Sequence, residues 1–221
     1  TRFGTGEQNN GWFQMVGNDL WYIKTKNTGL GRIELHSATA ASGYTSGESF
    51  VTYISTGDQD NGWFQMVGTD LFFIKTKNTG DGHVEVHSAT RGSGYQSGQH
   101  NATWMPASDN SNGWFQMLGA DLFFIKTKNT GSGQVEMHVA WASTNYQGAD
   151  HSVTRFGSNE QDNGWFQIIH RDLWFIKTRN TGGRVEIHSA TEASGYTAGQ
   201  SNATWMSPLD QSNGWFQVGV K

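Results

Sequence analysis

Several absences narrow the question before any motif is considered. The 221 residues contain no cysteine, which excludes a disulfide framework but leaves the compartment open. Proline occurs only twice. Charged residues make up 15% of the chain and the formal net charge is −4, so the electrostatic footprint of a nucleic-acid binder is missing. Long apolar runs are missing too. The longest are of the kind at 71–74, far too short to cross a bilayer, and mean hydropathy is −0.60. No signal peptide is visible. The expectation is a soluble protein, secreted or released, with no membrane insertion. Helical periodicity is absent throughout. No lone Ser/His/Asp set, carboxylate pair or phosphate loop stands apart from the rest, as an asymmetric active site would require, so no enzyme and no cofactor are expected.

What is present is one statement made repeatedly. The segment NGWFQ begins at Asn10, Asn61, Asn112, Asn163 and Asn213. A second segment, Asp-Leu-aromatic-aromatic-Ile-Lys-Thr, begins at Asp19, Asp70, Asp121 and Asp172. The spacing is 51 residues, falling to 50 at the last NGWFQ, where the turn around Gly183 is one residue shorter. A strict period of this length marks a repeat architecture. Repeats share one continuous core, so 1–221 is expected to be a single domain, with repeats at 1–51, 52–102, 103–153 and 154–203 and a partial copy at 204–221.

Each repeat reads as four short strands. In the first, 12–16 alternates with period two, and 20–23 is apolar at consecutive positions, as in a strand buried on both faces. A turn follows through Asn27, Thr28 and Gly29. The next strand, 32–37, sets Ile33 and Leu35 on one face and Glu34 and His36 on the other, and 50–55 completes the unit. With 29 Gly and 29 aromatics (10 Trp, 6 Tyr, 13 Phe), this predicts an all-β fold, a β-propeller of about four four-stranded antiparallel blades. The first residues correspond to those from Thr204 onward. This surplus strand would complete a blade from both termini, begin a partial fifth blade, or reach a neighbouring subunit in a homo-oligomer. Pairing the central hairpin about Gly29 sets Lys24 opposite Glu34 and Tyr22 opposite His36. The same arithmetic gives Lys75–Glu85, Lys126–Glu136 and Lys177–Glu186, and such pairs contribute roughly 0.2–1 kcal/mol each.

Repeated polar and aromatic residues are the candidate binding groups. Trp12, Trp63, Trp114, Trp165 and Trp215 are either inter-blade core or flat platforms for a sugar ring. Asn10, Asn61, Asn112 and Asn163 are turn formers or hydroxyl ligands. Tyr44, Tyr95, Tyr146 and Tyr196 follow tight loops and either hold those loops or touch ligand. His36, His87, His138 and His188 share a strand face with a Glu two residues earlier. That is half of a metal site, and with no third repeated ligand nearby in sequence no metal is expected. Asp58-Gln59-Asp60-Asn61-Gly62 lacks the spacing of a calcium loop and reads as a polar turn. Asn101 and Asn202 begin glycosylation sequons. Among the positions that vary, Trp104 and Trp205 lie on an outer strand, where they either fill core or, if exposed, mark contact with a ligand or partner.

The stretch DLFFIKTKNTG-x-G-x-VEVHSAT-x-x-SGYQ from Asp70 to Gln96 resembles the blade motif of bacterial β-propeller lectins of the Photorhabdus type. The resemblance extends over all four repeats. It implies binding of fucose and related sugars between blades, with glycans or glycoconjugates on cell surfaces as partners. A multivalent lectin is therefore the expected function. The alternative is a non-catalytic protein-interaction or structural scaffold.

Overall fold

The computed structural model describes residues 1–212 together with Phe216 and Val218. Among the described residues there are sixteen strands, and the helical segments are all short 3-10 turns. None is long and apolar enough to cross a membrane. The strands form four antiparallel sheets of four, each in chain order. This is the all-β class of propeller blades that the repeat predicted. The first blade is β1 (Gly11–Val16), β2 (Asp19–Lys24), β3 (Arg32–Ala38) and β4 (Ser49–Ser55). The second is β5 (Gly62–Val67), β6 (Asp70–Lys75), β7 (His83–Ala89) and β8 (His100–Pro106). The third is β9 (Gly113–Leu118), β10 (Asp121–Lys126), β11 (Gln134–Ala140) and β12 (Ala149–Gly157). The fourth is β13 (Gly164–Ile169), β14 (Asp172–Lys177), β15 (Glu186–Ala190) and β16 (Ser201–Ala203).

The chain folds as two compact units, Thr1–Ser108 and Asp109–Lys221, each holding two blades. Each unit has its own core between its blades. In the first, Ile23, Ile33, Leu35 and Ile54 pack with Phe64, Met66, Leu71 and Phe73. In the second, Ile125, Val135, Met137 and Phe156 pack with Phe166, Ile168, Leu173 and Phe175. The expected register is observed: Lys24 opposite Glu34, Tyr22 opposite His36, and Lys75–Glu85, Lys126–Glu136 and Lys177–Glu186 likewise. The charges do not all follow the register. Lys24 and Lys75 lie 3.9 and 3.8 Å from their opposing Glu, whereas Lys126 pairs with Asp109 at 3.7 Å and Lys177 with Glu160 at 3.2 Å. A carboxylate from the turn before NGWFQ competes for the same ammonium.

Two local devices position the blades. The NGWFQ glycine is required by close approach, because a Cβ at Gly11 would stand 1.9 Å from the Ile23 carbonyl oxygen. On the outer strands, a bulge opposite β3 turns the buried Thr52 hydroxyl onto the Ile54 N–H and frees the Tyr53 N–H. Tyr53 then donates to the Tyr95 carbonyl of the second blade, and Arg155 donates to the Tyr196 carbonyl of the fourth. Arg2 makes the same bond to Tyr44, so the first residues dock on the first blade as an outer strand would.

Candidate binding grooves

The repeated tryptophans stand at one end of each blade, on its first strand. Trp12 Nε1 donates to the Phe64 carbonyl, Trp114 to Phe166 and Trp165 to Phe216, each at 3.1 Å. Two residues on, the Gln14 amide donates to Met66 O at 2.7 Å and accepts from Met66 N at 2.8 Å. The indole N–H is therefore committed to the neighbouring blade, and only the half-buried ring surface remains for a ligand. The preceding Asn is committed as well. Asn10 O accepts the N–H groups of Thr25 and Lys26, and Asn10 Oδ1 accepts from Asn27 Nδ2 at 2.6 Å. Asn61, Asn112 and Asn163 repeat the arrangement. The Asp58 segment is a polar turn: Asn61 Nδ2 donates to Asp58 Oδ1 at 3.1 Å.

A groove opens beside this tryptophan twice, with nearly the same lining. The first, of about 270 Å³, is lined by Gln8, Asn9, Gly11, Trp12, Thr25, Lys26, Gln59 and Asp60. The second, of about 290 Å³, is lined by Gln161, Asp162, Gly164, Trp165, Thr178, Arg179 and Gln211. Seven positions correspond through the repeat, with Asp162 in place of Asn9 and Arg179 in place of Lys26. The two differ at the glutamine. Gln211 Oε1 accepts from Thr178 Oγ1 at 2.8 Å, but Gln59 Oε1 is buried with no hydrogen-bond partner among the described residues. A buried acceptor left unmatched is costly, roughly 1–3 kcal/mol.

The tyrosines lie at the opposite end of the blade. Tyr44, Tyr95, Tyr146 and Tyr196 all have positive φ, 63° to 66°, which is strained for a side chain of this size. Their hydroxyls hold the turn between the first two strands, donating to the carbonyls of Asn18, Thr69, Ala120 and Arg171 at 2.6–2.9 Å. The Asp opening the second strand assists. Asp19 is paired at the start of β2, and its Oδ1 accepts from Ala40 N at 2.9 Å. Burial raises the Tyr146 and Tyr196 hydroxyls to about 12.

One such loop borders a groove of about 190 Å³ between the third and fourth blades, lined by Met137, Val139, Asp150, His151 and Ser152 with Arg171, Glu192, Gly195 and Tyr196. Here the fourth repeat departs from the others. Its turn uses His170 and Arg171, at φ 50° and 70°, where the first three repeats begin with Gly17, Gly68 and Gly119. The strained turn aims Arg171 at Trp141, 4.7 Å from the ring centroid, and at Glu192, 2.5 Å away. At the matching place in the first unit, Arg91 and Glu48 bridge the two blades at 2.6 Å.

The histidines occupy the middle of each blade in an aromatic ladder. Phe64 stacks on Phe73 (4.5 Å), Phe73 leans on His87 (5.6 Å), and His87 stacks on His100 (4.2 Å). Phe115, Phe124, His138 and His151 repeat it in the third blade. Each His contacts its Glu, with Nε2 to Oε2 distances of 3.2, 2.9, 3.3 and 3.0 Å for His36, His87, His138 and His188. Burial lowers the pKa of His87 and His138, which favours the neutral ring. His36 also borders a small cavity with Arg2, Phe3, Glu7, Tyr22 and Lys24.

The structure thus separates the Trp, His and Tyr of a repeat rather than gathering them at one point. Trp104 is half-buried, whereas Trp205 is 87% exposed. Trp215 and Asn213 lie outside the described residues. The sequons Asn101 and Asn202 fall on β8 and β16. Sequence reasoning missed Thr25, Lys26 and Gln59, whose counterparts Thr178, Arg179 and Gln211 repeat at the same period, and that recurrence was the available signal. It also missed Arg171, Glu192 and Trp141, where the signal was departure from the repeat. No family model matches the chain, and no curated protein matches it.

Proposed function

We propose that this chain is a multivalent, non-catalytic carbohydrate-binding protein that holds sugars in repeated grooves between blades. The observation that carries the proposal is the recurrence of one groove, with the same Trp, Gly, Thr and Gln and a Lys or Arg, at Trp12 and at Trp165. An amphipathic ring face suits the C–H face of a sugar. The Lys or Arg ammonium and guanidinium donate to sugar hydroxyls. The resemblance of the blade motif to Photorhabdus-type lectins supports the same reading, with fucose-like sugars among the ligands and surface glycoconjugates as partners. The non-catalytic reading rests on how these repeated groups are used: the Trp N–H and Tyr O–H groups are tied to backbone carbonyls, and the Asn amides to neighbouring side chains, in copy after copy. The alternative is a non-catalytic scaffold that presents a face to a protein, for which Trp205 and Leu209, 87% and 81% exposed, would be contact residues.

A glycan array with parallel haemagglutination separates the two. The proposal expects a defined set of glycans to bind, and free monosaccharide to inhibit agglutination. A blank array with no agglutination would leave the scaffold reading.

A further inference from the structure

The missing third ligand of the Glu-x-His pair exists, and it comes from the next strand. Alternation places Glu85 and His87 on one face of β7, and the antiparallel register sets His100 of β8 directly opposite His87. His138 of β11 faces His151 of β12 in the same way, beside Glu136. In the other two blades serine replaces that histidine. His36 faces Ser49 and His188 faces Ser201, with Nδ1 to Oγ distances of 2.9 and 2.8 Å. Among the described residues there are therefore two complete Glu-His-His sets and two natural controls that lack one ligand.

The complete sets have ligand geometry. Glu85 Oε2 lies 2.9 Å from His87 Nε2 and 3.4 Å from His100 Nε2. Glu136 Oε2 lies 3.3 and 3.8 Å from the Nε2 atoms of His138 and His151. In each set the three donor atoms fall within 4.8 Å of one another. A tetrahedral zinc ion with bonds of about 2.0–2.1 Å separates its ligand atoms by roughly 3.3 Å. To aim both in-plane lone pairs at one ion, the His87 and His100 rings must tilt out of their stacked arrangement, and His138 and His151, already 37° apart, must tilt less.

The surroundings orient these donors. Glu85 Oε1 accepts from Gly80 N at 2.9 Å and Glu136 Oε1 from Gly131 N at 3.1 Å, which points each Oε2 at the imidazoles. Phe73 and Phe124 brace the inner rings. His100 and His151 have side chains 59% and 49% exposed, which leaves an approach from solvent for the ion and for a fourth ligand. Lys75, 3.8 Å from Glu85 Oε2, is the cation that would yield, and Asp58 already lies 3.9 Å from it. We infer that the second and third blades each bind one divalent ion of the zinc class through two imidazoles and one carboxylate. Two nitrogen donors disfavour calcium and magnesium.

The test uses the full chain, stripped with chelator and titrated with zinc by calorimetry. Wild type is expected to take up two ions per chain, His100→Ser or His151→Ser one, and the double variant none. Serine is what the first and fourth blades carry at this place, so the variants should keep the wild-type circular dichroism spectrum. In the unmodified chain, cobalt(II) should give the visible bands of a low-coordinate site, which tests the proposal without any variant. No zinc uptake by wild type, uptake unchanged in the double variant, or only the spectrum of hydrated cobalt would overturn it. None of these readouts involves a sugar, so failure here leaves the lectin proposal standing.

Discussion

Trp12 of the first blade donates its indole N–H to the carbonyl of Phe64 in the second, at 3.1 Å, with the two rings 5.7 Å apart. The bond makes the most conspicuous repeated residue a joint between blades and leaves its ring surface to line the groove. Trp12→Phe keeps an aromatic surface but orphans the Phe64 carbonyl. Stability should fall by about 1 kcal/mol in chemical denaturation. An unchanged midpoint would mean that the joint contributes nothing to the fold.

Tyr95→Phe tests the opposite end of the blade. Its hydroxyl reaches Thr69 O at 2.6 Å and the ring is fully buried. Loss of the hydroxyl leaves a part-buried carbonyl unmatched and should again cost about 1 kcal/mol. Thermal melts of the variant against wild type measure it. Unaltered stability with lost sugar binding would assign the hydroxyl to ligand instead.

Glu85→Lys places a second cation against Lys75 at a site only 6% exposed, and removes the acceptor for Gly80 N. The melting temperature should drop, by an amount equivalent to at least about 1 kcal/mol. Glu85→Gln should fall between wild type and this variant, because it keeps an acceptor and adds no charge. If both variants melt as wild type does, the cross-strand pair does not set the register.

Acid should weaken the first blade through Glu7. The Tyr22 hydroxyl donates to its carboxylate at 2.8 Å, and chiefly for that reason the Glu7 pKa lies below its ordinary value of 4.5. A carboxylate with a lowered folded-state pKa contributes stability that is complete above the unfolded value and is lost as pH falls through the folded one. The stability profile of wild type should therefore decline below about pH 4.5, and that of Glu7→Gln should decline less steeply. Parallel profiles would show that Glu7 is not coupled to folding.

Much of this was legible in the sequence because a repeat states its strands several times. The period, the four strands and the opposition of Lys24 to Glu34 all follow from alternation and turn chemistry, which are local. What escaped was set by partners distant in the chain. Nothing near Trp12 announces Phe64, and nothing near His87 announces His100, which reaches it only through strand pairing. Lys126 pairs with Asp109 at 3.7 Å and not with Glu136, because the turn before NGWFQ brings that carboxylate nearer in space. Arg171 could have been suspected, since it follows His170, which replaces the glycine of the other three turns.

The central claim is that repetition here means multiple sugar sites. Calorimetry of the full chain with a free monosaccharide chosen from the glycan array measures this directly. The account predicts weak individual sites, a stoichiometry near four per chain, and far tighter binding to a glycan-coated surface, where avidity gains of about 10²–10⁴ are available. Trp12→Ala and Trp165→Ala should each lower the stoichiometry by about one without unfolding the chain. A stoichiometry of one, or four sites surviving both substitutions together, would contradict it.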